Sequence, residues 1–133
     1  VDEHVELLLE FGDRRGGGAE VPDVDVAAYR SFLVDTCCET VELACRYKGQ
    51  LAAVAVADRG KDSLSAVYCA FEPSLAHLSL GTYCILKELE ACRTWGLRYL
   101  YLGLYVADCQ HLAYKARFLP HERLIDGTWQ RQD

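Results

Sequence analysis

The chain has 133 residues, 51% of them hydrophobic and 26% charged, which is enough to bury one core and too short for two independent modules. A formal net charge of −6 makes it a poor stand-alone binder of polyanions, because affinity for nucleic acids comes mainly from neutralising phosphates. No apolar run approaches the roughly 18 residues that cross a bilayer, and no basic start followed by an apolar stretch marks a secretory signal. We therefore expect a cytoplasmic protein with no membrane partner.

The seven cysteines are scattered through apolar segments, without a C-x-x-C pair or a histidine at zinc-ligand spacing. Cys37 and Cys38 are adjacent, and neighbours on a strand point to opposite faces, so they would not easily share a metal ion. We expect reduced thiols that pack as small core residues, and no metal site.

In chain order, the first two predicted elements are helices. Val5, Leu8 and Leu9 recur at helical spacing, and the glycines at 16–18 form a loop. A second helix is predicted over residues 26–33, which carry apolar side chains that can face a core.

Three strands are predicted next, joined as an antiparallel meander. The first strand has apolar residues alternating with polar ones, at Val41, Leu43, Cys45 and Tyr47. The continuous apolar run at 51–57 indicates a strand buried on both faces, and a turn at 58–62 leads into the third strand at 63–71.

A long helix follows Pro73, with Ser79 or Thr82 as its N-cap, and it ends near Gly96. The residues predicted to face the core are Ile85, Leu86, Leu89 and Cys92. Those predicted to face solvent are Lys87, Glu88, Glu90 and Arg93.

The chain then returns as a strand at 98–103, predicted to be parallel to the strand before the helix. A short helix or turn at 108–116, a short strand at 123–125 and a turn at Asp126-Gly127 complete the pattern. This order of elements resembles the acyl-CoA N-acyltransferase-like (GNAT) fold, an α+β fold with a mixed central sheet and flanking helices.

Several sequence blocks also resemble one family across nearly the whole chain. They are RRGGG at 14–18, VAVAD at 54–58, LSAVY at 64–68, SLGTY at 79–83, YKARF at 114–118 and LIDGTW at 124–129. Together they are similar to the catalytic domain of the arginyl-tRNA–protein transferases and the bacterial aspartate/glutamate leucyltransferases. The resemblance implies that residues 1–133 are a single GNAT-like catalytic domain, without the cysteine-rich N-terminal domain of the family.

The implied reaction moves an amino acid, arginine or leucine, from aminoacyl-tRNA to the N-terminal amine of proteins that begin with Asp or Glu, marking them for N-degron degradation. The sequence does not distinguish the two donors. Aminoacyl-tRNA is the donor substrate and no further cofactor is implied. The partners are aminoacyl-tRNA, the acceptor protein and the family's N-terminal domain.

The candidate catalytic residues are Asp58 and Tyr68. Asp58 ends an apolar strand, where a carboxylate can hold and deprotonate the acceptor amine, although aspartate also commonly begins a turn. Ser65 and Tyr68 are three residues apart on one strand, so only one of them can enter a given pocket unless a β-bulge intervenes. Tyr68 is the preferred candidate.

The remaining candidates bind substrate. Ser79, Leu80, Gly81 and Thr82 enter the long helix, where amides and hydroxyls can hold an anion or simply cap the helix. Tyr105 and Tyr114 can stack on the terminal adenine of the tRNA or serve as core residues. Lys115 and Arg117 can share a phosphate or an acidic acceptor side chain only if the backbone there is extended, and otherwise lie on a solvated surface.

Two alternatives remain open. A coenzyme A-dependent N-acyltransferase is disfavoured by a helix-entry loop whose only glycine is Gly81. A non-catalytic domain that binds protein N-termini is favoured by Gln110-His111-Leu112 and Leu119-Pro120, where relatives usually carry basic residues.

Overall fold

The computed structural model describes residues 37–133, together with Ala27 and Ser31. Apart from those two residues, the helices predicted around Val5 and over 26–33 lie outside the described part. The chain divides into two compact units, one ending at Tyr101 and the other formed by Leu102–Asp133. Each unit is described by itself.

The first unit contains a four-stranded sheet in the order β1-β2-β3-β4. The strands are β1 (Glu39–Tyr47), β2 (Gln50–Arg59), β3 (Ser63–Phe71) and β4 (Tyr99–Tyr101). The first two pairings are antiparallel and β3 pairs with β4 in parallel. The predicted meander, the parallel return and the mixed α+β sheet are therefore confirmed.

A two-residue turn sets the register of β1 and β2. Lys48 and Gly49 both have positive φ angles, of 50° and 81°. Such turns match the right-handed twist of antiparallel strands, so the short loop folds the two strands together.

Two helical segments follow β3. A 3-10 helix at Pro73–Leu78, which the sequence did not predict, begins with the carboxylate of Glu72 accepting a hydrogen bond from the Ser74 amide at 3.0 Å. The long helix α1 runs from Leu80 to Thr94 and ends before Gly96, whose φ is 69°. Ser79 occupies the predicted cap position, but its side chain makes no capping hydrogen bond.

The buried face of α1 differs from the predicted one. Its buried residues are Leu80, Cys84, Ile85, Glu88 and Cys92. Leu86 and Leu89 are instead 51% and 39% exposed, so their assignment to the core was wrong, as was that of Glu88 to solvent. The difference arises where α1 packs against the sheet. Strand β2 presents fully buried alanines to the helix, and the residues that α1 buries recur every four positions, at Leu80, Cys84, Glu88 and Cys92.

The second unit contains a short helix and a hairpin. Helix α2 (Gln110–Ala113) continues into a 3-10 helix at Tyr114–Arg117, and β5 (His121–Ile125) pairs antiparallel with β6 (Thr128–Gln132). The helix, β5 and the Asp126-Gly127 turn were predicted. Strand β6 was missed because most of it is polar. No helix in residues 37–133 is long and apolar enough to cross a membrane.

Candidate active site

The two faces of the four-stranded sheet have different chemistry. On one face, Ala53, Ala55 and Ala57 pack in clusters with Leu80, Cys84 and Cys92 of α1. The other face carries the alternate positions, among them the buried Val54 and Val56. We call the first the helix face and the second the open face, a name that means only that it is the face opposite the α1 clusters, since Val54 and Val56 on it are buried.

A row of polar side chains crosses the open face. Thr40 of β1 pairs with Asp58 of β2, Asp58 pairs with Ser65 of β3, and Ser65 pairs with Tyr101 of β4. Residues directly opposite one another on neighbouring strands lie on the same face of a sheet. Four strands therefore contribute one side chain each to this polar row.

Asp58 lies within a strand and does not begin the turn, because β2 continues to Arg59. Thr40 Oγ1 donates a hydrogen bond to Asp58 Oδ1 at 2.7 Å in a partly buried position. A short bond from a β-branched side chain restricts the rotamers of the carboxylate, since the threonine is itself stiff about χ1. Thr40 was not predicted as a site residue because the alternating apolar pattern begins only at Val41, whereas β1 begins at Glu39.

A β-bulge brings Ser65 and Tyr68 to the same face. The register of β2 and β3 shifts so that Val56 pairs with Tyr68 and Ala57 with Ala66, which leaves Val67 as the extra residue. Tyr68 consequently lies on the open face with Ser65 and Asp58. A β-bulge was the one condition under which both side chains could enter the same pocket, and the structure contains it.

The pairing of β3 with β4 stops beside this row. It covers three residues of each strand and ends at Ser65 and Tyr101, although β3 continues to Phe71. The end of a parallel pairing is where ligands commonly enter such sheets. The polar row therefore borders the point at which the two strands part.

The helix-entry loop and Asp58 are associated with different faces of the sheet. Leu80 is 7% exposed and belongs to the cluster of Ala52, Ala53, Ala55 and Cys84 on the helix face. Asp58 is opposite Thr40 and Ser65 in the strand pairing and lies on the other face. The two groups of predicted residues therefore do not share one face of the sheet.

Within the loop, the side chains differ in their surroundings. Leu80 is a core residue, whereas Ser79 and Thr82 are exposed. A Cβ added to Gly81 would meet no atom within 4 Å, so no close contact requires a glycine there. Anion binding by the amides of this loop stays a prediction.

In the second unit, Tyr105 already has a stacking partner. The guanidinium of Arg123 lies 4.2 Å from the centre of its ring. Arg123 Nε donates to His121 Nε2 at 3.0 Å, and His121 Nδ1 lies 3.0 Å from the Phe118 carbonyl oxygen. With Nε2 accepting from Arg123, Nδ1 is the nitrogen that donates to the Phe118 carbonyl.

Lys115 and Arg117 do not lie in extended structure. Both belong to the 3-10 helix at Tyr114–Arg117, in which residues two apart project in different directions. The condition under which they could share a phosphate or an acidic side chain is therefore not met, and substrate binding by either residue stays a prediction. Lys115 Nζ donates to the Leu104 carbonyl at 2.9 Å, and burial lowers the pKa of Lys115. Tyr114, in the same turn, is half-buried.

The cysteines divide between core and surface. Cys84 and Cys92 are buried as predicted, whereas Cys37 and Cys38 are exposed. Cys45 Sγ lies 3.7 Å from Cys84 Sγ, and burial raises the pKa of Cys45 to about 12. In residues 37–133 and the two further described positions, no three His, Cys, Asp or Glu side chains are gathered in a way that could hold a metal ion.

One buried ionisable group was also missed. Glu88 is 2% exposed, and its burial raises its pKa to about 7. The detectable signal was its spacing, four residues from both Cys84 and Cys92, which places all three on one stripe of the helix.

Comparison with known proteins identifies the family. Residues 3–125 match the family described as "Arginine-tRNA-protein transferase, C terminus". The chain is 39% identical over 128 residues to the aspartate/glutamate leucyltransferase of Methylobacillus flagellatus, covering 96% of this chain and 52% of the relative. It is 43% identical over 147 aligned positions to the protein of that name from Aeromonas hydrophila, covering 100% of this chain and 61% of the relative.

The chain spans about half the length of the curated relatives it matches. The match to the family extends across both units of the structure, from the sheet to the beginning of the terminal hairpin. The chain belongs to the arginine-tRNA-protein transferase family and corresponds to its C-terminal part.

Proposed function

We propose that this chain catalyses the transfer of an amino acid from aminoacyl-tRNA to the N-terminal amine of an acceptor protein, with the polar row on the open face as its acceptor site. The observation that carries the proposal is the short hydrogen bond from Thr40 to Asp58, in the row that continues through Ser65 to Tyr101, where the pairing of β3 and β4 stops. A held carboxylate beside further hydroxyls suits the binding and deprotonation of a primary amine.

The chemistry divides among three side chains of the open face, those of Asp58, Ser65 and Tyr68. Asp58 binds the acceptor ammonium and takes a proton from it, which leaves a neutral amine to attack the ester carbonyl that joins the amino acid to the tRNA. Ser65 and Tyr68 carry hydroxyls on the same face and donate to the developing oxyanion. After the attack the nitrogen loses a second proton, the tRNA 3′ oxygen takes up one proton as the ester bond breaks, and the other proton is released from Asp58 to solvent, so that the new amide remains on the acceptor.

The donor and the acceptors are further parts of the proposal. Relatives carry the name aspartate/glutamate leucyltransferase, which favours leucyl-tRNA over arginyl-tRNA and acceptors that begin with Asp or Glu. We assign the reaction to the cytoplasm, where it marks its products for N-degron degradation, and assign no cofactor beyond aminoacyl-tRNA.

The fold supports this assignment by its order of elements. Three antiparallel strands, a helix and a parallel returning strand are the central part of the GNAT-like plan. We propose that residues 1–133 form one catalytic domain of this type, and that the other half of the longer relatives supplies the cysteine-rich domain.

A transfer assay tests the function directly. Purified chain is incubated with tRNA charged with labelled leucine or arginine, and with peptides that begin with Asp, Glu or Ala. We expect label from leucyl-tRNA on the Asp and Glu peptides only. Acetyl-coenzyme A in place of charged tRNA tests the N-acyltransferase alternative, and peptide binding without any transfer would favour the non-catalytic one.

A further inference from the structure

The two tyrosines of β4 form an exposed aromatic platform at the β4 end of the polar row, to which Tyr101 belongs. Tyr99 and Tyr101 are 40% and 41% exposed, with ring centroids 6.2 Å apart and ring planes inclined at 29°. The guanidinium of Arg98 lies 5.2 Å from the centre of the Tyr99 ring. We propose that this platform stacks the 3′-terminal base of the donor tRNA, an inference that rests on the proposed function.

The register of the sheet places the platform beside the proposed acceptor site. Tyr99 pairs with Ser63 and Tyr101 with Ser65, so both rings lie on the open face with Asp58. Only β3 separates β4 from β2, and two strand spacings amount to about 10 Å. A base stacked on the tyrosines would bring the esterified ribose next to it toward the carboxylate.

The platform is fixed to the sheet at its beginning. The Asp62 carbonyl accepts hydrogen bonds from the amides of Arg98, at 2.7 Å, and Tyr99, at 3.2 Å. Leu100, between the two tyrosines, packs into the core cluster of Ala57, Leu64 and Cys92 on the helix face. Anchored on both sides, β4 presents its two rings with little freedom to reorganise, which favours binding of a flat ligand.

The composition of the platform suits a nucleotide. Aromatic rings stack on any base, and an arginine beside them adds a cation–π contact and a positive charge for the backbone phosphate. Tyr105 and Tyr114, the residues suggested by sequence for this role, belong to the second unit, whereas Tyr99 and Tyr101 share one sheet with Asp58. In the described part of the chain, Tyr47 also lies under a cation, with the Lys48 ammonium 5.2 Å from its ring centre. It is the last residue of β1 and pairs with Gln50, at the end of β2 opposite to Asp58.

The test measures binding of a short RNA to the whole chain and does not need transfer activity. The probe is the uncharged trinucleotide CCA with a fluorescent label at its 5′ end, and Kd is read from anisotropy. We expect Tyr99→Ala and Tyr101→Ala each to weaken binding by about 5- to 100-fold, as stacking substitutions do elsewhere. Tyr99→Phe and Tyr101→Phe should keep the affinity, because the ring stacks and the hydroxyl does not.

Two controls make the result specific to the platform. Tyr47→Ala removes an exposed tyrosine with a cation at the same distance, and it should leave Kd unchanged. A trinucleotide with an abasic 3′ end should bind the wild type as weakly as CCA binds Tyr99→Ala.

Two results would overturn the inference. One is wild-type affinity for CCA in Tyr99→Ala and Tyr101→Ala, and the other is no binding of CCA by the wild type. If leucine transfer persists in the wild type while either is observed, the proposed function stands and the platform fails. If the platform binds CCA but no peptide is labelled with either charged tRNA, the proposed function fails and the binding site stands.

Discussion

The two faces of the four-stranded sheet constrain their residues in different ways. On the helix face, small residues on β2 let α1 approach closely, and the requirement is shape. On the open face, the same strands bring together Thr40, Asp58 and Ser65, and the requirement is for particular polar groups, two hydroxyls and a carboxylate. Substitutions on the helix face should therefore change stability, and substitutions on the open face should change catalysis.

The largest expected effect is on the open face. Asp58→Asn keeps the size and a hydrogen-bond acceptor for Thr40 but cannot take a proton, and we expect leucine transfer to slow by about 10²- to 10⁴-fold. Single-turnover kinetics with charged tRNA measure it, and the thermal midpoint should hardly change. Asp126→Asn, in the exposed turn of the terminal hairpin, is the matched control and should transfer at the wild-type rate. Equal losses in the two variants would contradict a special role for Asp58.

Next is a pair of neighbours on α1. Ile85 is 6% exposed and Leu86 is 51% exposed, although the sequence pattern predicted both in the core. We expect Ile85→Ala to lower the free energy of unfolding by about 2–5 kcal/mol, and Leu86→Ala by well under half of that. Urea denaturation measures both. Similar losses would mean that α1 is rotated relative to the structure.

The third prediction concerns Glu88, a buried residue of α1. Its pKa is raised from the ordinary 4.5 to about 7, so the folded state binds a proton that the unfolded state releases between these values. The wild-type stability should therefore fall as the pH rises from 4.5 to 7. Glu88→Gln should remove this fall and be more stable than the wild type at pH 8, by up to about 3 kcal/mol, with little difference below pH 4.5.

Glu90 provides the control for Glu88 on the same helix. It is exposed, and the hydrogen bond from Lys87 holds its pKa below the ordinary value. Glu90→Gln should have a small effect, and in the opposite direction, with any loss of stability appearing above the pKa of the free carboxyl. A pH-independent gain in Glu88→Gln would show that Glu88 is not buried in an apolar environment.

The smallest expected effect sharpens the role of Thr40. Thr40→Val removes the hydrogen bond to Asp58 while keeping the shape, and a bond worth about 1 kcal/mol corresponds to about a fivefold loss in kcat. Thr40→Ser should recover most of the rate, since it restores the hydroxyl. A change in KM without a change in kcat, or no recovery of the rate in Thr40→Ser, would indicate that Thr40 acts through the packing of β1 and not through Asp58.

The sequence predicted the regular elements of the sheet because alternation and continuous apolar runs report burial directly. Residues 41–47, 51–57 and 63–71 were all placed in strands, and the structure agrees. The face of α1 was mispredicted because charge was taken to exclude Glu88 from the core. Its burial follows from the packing of α1 against the sheet, where the buried alanines of β2 lie, and no local sequence pattern encodes that packing.

The candidate site was predictable only in part. Asp58, Ser65 and Tyr68 were chosen from their strands, but their placement on one face depends on a bulge at Val67, a register shift that alternation does not reveal. Lys115 and Arg117 were grouped on the assumption of extended backbone, whereas the chain makes a 3-10 turn there. Thr40 and Tyr99 became candidates only once strand pairing had put them beside other residues.

The central claim is that acceptor and donor meet on the open face of the sheet. It is tested most directly by amide chemical-shift mapping of the full chain, titrated with a short peptide that begins with Asp and with CCA. The account predicts that the peptide shifts Thr40, Asp58 and Ser65 and that CCA shifts Tyr99 and Tyr101. Shifts confined to the helix-entry loop at 79–82, or to the second unit around Lys115, would contradict it.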